Sequence, residues 1–72
     1  METIDLHGLT HSEALSKAED FVLKHSVDDF FEVKIITGGS NSMKSRVIGM
    51  LKEYDFKYFV PSWNLGEIII SY

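Results

Sequence analysis

Two short stretches carry the residue types that do chemistry. In IDLHGLTHSE, residues 4–13, the acid Asp5, the imidazole of His7 and Gly8 stand almost side by side. A carboxylate there can hold a divalent cation or orient an imidazole acting as general base. It can equally cap a neighbouring loop. In ITGGSNS, residues 36–42, two glycines lead into serine and asparagine. Glycine lets backbone come close to a ligand. A helix starting here presents amide N–H groups without internal partners and the positive end of its dipole. An anion fits such an end. Thr37, Gly38, Gly39, Ser40, Asn41 and Ser42 are therefore candidate phosphate-binding residues, with Lys44 and Arg46 adding charge. The plain alternative is a strand-to-helix turn that needs glycine for its φ angles. The spacing matches neither a P-loop nor a GxGxxG fingerprint.

The elements that must position these residues follow from periodicity. Ile4 and Leu6 alternate with Thr3, Asp5 and His7, which predicts a strand over Thr3–His7 that Gly8 ends. Thr10 followed by Glu13 fits a capping box, and Ala14, Ala18, Phe21, Val22 and His25 recur at helical spacing, so a helix is expected over His11–His25. A second strand spans Glu32–Thr37, and Val47, Met50, Leu51 and Tyr54 make the stripe of a second helix. Lys57–Val60 and Glu67–Tyr72 read as two more strands around an Asn64-Leu65-Gly66 turn.

The order βαβαββ implies an α/β two-layer sandwich with a four-stranded mixed sheet. Crossovers between parallel strands are right-handed, so a chain moving one way across the sheet puts both helices on one face. The Ile68-Ile69-Ile70 run suits a central strand, and Pro61, lacking a donor, suits an edge. Strand order 1-2-4-3 satisfies both; order 2-1-3-4, with helices on opposite faces, is the alternative. In either, the carboxyl ends of the first two strands are neighbours, the place where open α/β sheets bind ligands.

The chain has 72 residues, enough for one domain over 1–72. It has no cysteine, which excludes disulfides and thiolate metal sites. His7, His11 and His25 show no paired zinc-ligand spacing. METIDLHG has no basic segment leading into an apolar run, and no purely apolar stretch is longer than the three residues of Ile68-Ile69-Ile70. The expectation is a soluble, cytoplasmic protein with no membrane partner. Net charge is −4, but it is unevenly spread. Between Val33 and Lys52 there is no acid, and Lys34, Lys44, Arg46 and Lys52 carry +4, while elsewhere three lysines face eleven acids. A local positive field can direct a phosphate-bearing ligand to one face of an acidic protein.

Taken together, the motifs resemble a known family. Ile4-Asp5-Leu6-His7-Gly8-Leu9, followed by a helix carrying Glu13-Ala14-Leu15, resembles the first motif, LDLHG, of the small MutS-related (Smr) domain. Ile36-Thr37-Gly38 with Asn41 resembles its second motif, TGxG or HGxG, in the threonine form, with Ser40 in place of the second glycine. Asn64-Leu65-Gly66-Glu67-Ile68 resembles its closing hairpin. The resemblance covers nearly the whole chain. It implies a sheet similar to that of the carboxy-terminal domain of translation initiation factor three. It also implies binding of DNA or RNA, with weak metal-dependent endonuclease or nicking activity. Asp5 and His7 would then be catalytic, with Asp5 the ligand of Mg2+ or Mn2+ and the Gly38–Ser42 loop with Arg46 gripping phosphate. The alternative is a catalytically inactive module of the same fold that binds nucleic acid or a protein, with Tyr58, Phe59 and Trp63 supplying contact area.

Overall fold

The computed structural model describes residues 1–71. Its elements are β1 (Glu2–Asp5), α1 (His11–His25), β2 (Glu32–Ile36), α2 (Asn41–Glu53), β3 (Lys57–Phe59) and β4 (Glu67–Ser71). The sheet order is β1-β2-β4-β3. β1 and β2 are parallel, and β4 runs antiparallel to both β2 and β3. The order 1-2-4-3 is thus the one the chain adopts, not 2-1-3-4. Pro61 lies just beyond β3, an edge strand, and its carbonyl accepts from the Asn64 amide. The expected end of β4 at Tyr72 lies outside the described residues.

Each helix begins where its sequence provides a cap. The Thr10 hydroxyl accepts from the Glu13 amide at 3.2 Å, and Glu13 Oε1 accepts from the Thr10 amide at 3.2 Å. This is a complete capping box. At α2 the Ser40 hydroxyl accepts from the Met43 amide at 3.2 Å. α1 buries Ala14, Ala18 and Val22, spaced one turn apart, and α2 buries Met43, Val47, Met50 and Leu51. These stripes meet Val33 and Ile35 of β2, Ile68 and Ile70 of β4, and Leu6 in one core cluster, so both helices lie on one face of the sheet. Residues of opposite parity, Lys34 and Ile69, pair across the other face.

The first strand is shorter than its alternation suggests. It ends at Asp5 rather than His7. The Leu6 amide still bonds the Ile36 carbonyl at 2.8 Å, but Asp5 Oδ1 accepts from the His7 amide at 2.9 Å, and the Leu9 amide closes a turn on the Leu6 carbonyl. His7 therefore sits in that turn. The strand expected over Thr3–His7 is corrected accordingly to Glu2–Asp5.

The topology gathers three connections at one edge. β1 and β2 end there, α1 and α2 begin there, and β4 starts there, with Glu67 opposite Ile36. The β1–α1 turn, the β2–α2 loop and the β3–β4 loop consequently share one end of the molecule.

Candidate functional site

At that end a cleft of about 460 Å³ opens between the glycine loop and the β3–β4 loop. Its walls are Gly38, Gly39, Asn41 and Lys44 on one side and Asn64, Leu65 and Gly66 on the other. Lys44 is the only charged residue among them. The first turn of α2 contains no acid, whereas α1 has Glu13 in its own first turn. The positive end of α2 is thus left uncompensated, and that of α1 is not.

The two walls are bonded to one another. The Gly66 carbonyl accepts from the Thr37 amide at 2.8 Å, from the Gly38 amide at 3.2 Å and from the Thr37 hydroxyl at 3.3 Å. Thr37 is only 2% exposed, so it braces the loop from behind instead of facing a ligand. Gly38 holds φ at +68°, and a methyl group there would lie 3.4 Å from His7 Cδ2. The His7 ring therefore lies against the glycine backbone. A methyl group on Gly66 would lie 3.1 Å from the Gly38 carbonyl oxygen. Gly38 is glycine because its φ is left-handed, and Gly66 because the Gly38 backbone comes close to it.

The other candidates divide. Gly39 and Asn41 are exposed, and Lys44 is half-buried along the cleft. Ser40 spends its hydroxyl oxygen as an acceptor on the Met43 amide, which leaves its proton free to donate. Ser42 stands 3.3 Å from His11 Nε2, so the starts of α1 and α2 are joined. Arg46 is elsewhere: it lines the groove between the helices, with Ser12, Leu15, Glu19, Gly49 and Glu53 among its neighbours. Two residues along a helix turn a side chain by about 200°, so Lys44 and Arg46 cannot share the cleft. Lys34 is on the helix-free face, 3.4 Å from Glu67 Oε2.

Asp5 and His7 meet, but not as an acid orienting an imidazole. The carboxylate receives the backbone amide of His7. Among the described residues no three His, Asp or Glu side chains gather around a common point. Mg2+ or Mn2+ takes several oxygen ligands, so a single carboxylate with one oxygen already hydrogen-bonded does not fit a resident cation.

Asn64, Leu65 and Gly66 were not among the candidates that residue chemistry singled out. Their signal was the turn before β4 together with the 1-2-4-3 order, which brings that turn to the carboxyl ends of β1 and β2.

The model of the Smr domain matches residues 4–63. The chain belongs to the Smr domain family. The match spans both glycine-bearing motifs and stops short of β4, the strand that completes this Smr sheet. No curated protein and no solved structure matches the chain. No helix among the described residues is long and apolar enough to cross a membrane.

Proposed function

We propose that this Smr domain binds nucleic acid, DNA or RNA, by seating backbone phosphate in the cleft between the glycine loop and the β3–β4 loop. The observation that carries this reading is the pairing of an acid-free helix start with Lys44 in a cleft that has no carboxylate in its walls. Amides at the start of α2 would donate to the phosphate oxygens, with Asn41 and the Ser40 hydroxyl beside them, and Lys44 would supply the charge. Family membership supports the same class of ligand.

Binding without cleavage is the form this site supports best. Hydrolysis of a phosphodiester needs charge neutralisation and an activated water, and Asp5 is engaged in holding a turn. The test is a titration with duplex DNA and structured RNA at low salt, alongside a nicking assay on supercoiled plasmid with and without Mg2+ or Mn2+. Lys44→Glu should weaken binding to all sequences alike, and nicking should not exceed that of Asp5→Asn. Unchanged affinity in Lys44→Glu would put the surface elsewhere. Metal-dependent nicking that Asp5→Asn abolishes would restore the catalytic reading.

A further inference from the structure

Trp63 and Leu65 are 75% and 64% exposed, although both are large apolar side chains. They occupy corners of two consecutive turns. The Asn64 amide returns to the Pro61 carbonyl, and the Glu67 amide returns to the Asn64 carbonyl. Asn64 Oδ1 also accepts from the Gly66 amide at 3.0 Å, and Gly66 is tied to Thr37 and Gly38. Pro61, at the start of the first turn, is fully buried. The loop is thus anchored at both ends while its two largest apolar side chains face water.

Leu65 lines the cleft, and Trp63 lies two residues before it on the same anchored loop. We propose that this loop is a stacking platform, and that the site takes an unpaired stretch of nucleic acid with a base on Trp63 and the adjoining phosphate at Lys44 and the start of α2. The proposal rests on the phosphate-binding reading above and narrows it to single strands. Three features favour this occupant over a protein. The neighbouring cleft holds Lys44 and no carboxylate, with Asn41 and the start of α2 as donors, as a phosphate requires. Every base has a face that an aromatic ring can cover, and in a duplex those faces are already stacked. A platform fixed beforehand loses little freedom on binding.

Trp63 is the only tryptophan in the chain, so its own emission reports the contact. The full chain is titrated at low salt with oligodeoxyuridylate and oligouridylate of about ten nucleotides, a length within the usual site size, and with a blunt duplex of equal length. Both single strands should quench Trp63 and bind more tightly than the duplex; if only one does, it identifies the sugar the site accepts. The variants are followed by anisotropy of end-labelled oligonucleotide. Trp63→Ala should weaken single-strand binding about five- to 150-fold, the effect of losing one stacked base, and leave duplex binding as it was. Trp63→Phe should keep most of the affinity. Single-strand binding unchanged in Trp63→Ala, with Lys44→Glu still weak, would overturn the platform while the phosphate reading stands. No binding to any of the three oligonucleotides would overturn both. A change in Trp63 emission that grows with protein concentration alone would assign the loop to a contact between copies and overturn the proposal.

Discussion

Asp5 shows how one hydrogen bond decides a residue's role. Its carboxylate accepts from the His7 amide, so what the position requires is an acceptor oxygen and not a charge. Asp5→Asn should keep the turn and leave nucleic-acid binding intact or slightly stronger, because a negative charge leaves the vicinity of the phosphate. Asp5→Ala should cost about 1 kcal/mol, the usual net value of such a bond. Urea denaturation of the two variants checks the difference. The glycines of the cleft are less forgiving. Gly38→Ala places an L side chain at φ +68° against His7, and Gly66→Ala presses a methyl group on the Gly38 carbonyl. The first should cost about 1–2 kcal/mol, and the second about 1–3 kcal/mol, as overpacking does. In amide spectra each should disturb residues on both walls, because the walls are bonded together at Gly66.

The ends of the helices determine where their chemistry sits, and both kinds of end can be tested. Hydrogen bonds from the Thr10 hydroxyl and amide hold the Glu13 carboxyl below its ordinary range. A depressed folded value means the box contributes its stability above the unfolded pKa and loses it as pH falls through the folded one. Acid should therefore loosen the start of α1, and Glu13→Gln should flatten that limb of the stability–pH curve. Thr10→Ala should cost about 1 kcal/mol at neutral pH. At the other end of α2, Asp55 holds φ at 64°, while the Phe56 amide reaches back to the Leu51 carbonyl. That left-handed position suits glycine. Asp55→Gly should raise stability by up to about 1 kcal/mol, the relief of strain being partly offset by the freer unfolded chain; a lower melting temperature would contradict this. The helices were legible in the sequence because caps and stripes are local: Thr10, Glu13, Ser40 and the alanine spacing all lie within a turn or two of what they control. The end of β1 was not, because alternation cannot reveal that Asp5 bonds its own chain. The second wall of the cleft was legible only through strand order, since Asn64 and Gly66 are far from Gly38 in sequence.

At the scale of the whole molecule, the charge that the sequence gathers between Val33 and Lys52 is dispersed by the fold. Lys34 pairs with Glu67 on the helix-free face. Arg46 lines the helix–helix groove, whose walls also include Glu19 and Glu53. Lys52 lies in the last turn of α2, at the opposite end of the helix from the cleft. Lys44 alone reaches the site, with the start of α2 as its partner. This fixes how binding must respond to salt. Each phosphate neutralised by a cation contributes about −0.9 on a duplex, or about −0.7 on a single strand, to the slope of log affinity against log salt. If all four cations engaged phosphate, the slope would be about −3 to −4; one lysine and one helix end give about −1 to −2. The shallower slope is expected, along with modest affinity, since the chain as a whole carries −4 and repels a polyanion outside the cleft. Lys44→Glu should lower the affinity and bring the slope about one unit closer to zero. Arg46→Glu should leave both near their starting values, because the two side chains leave α2 on different faces. Titrations at several salt concentrations measure both quantities together. A steep slope that Arg46→Glu reduces would mean that the helix–helix groove, rather than the glycine cleft, carries the phosphate.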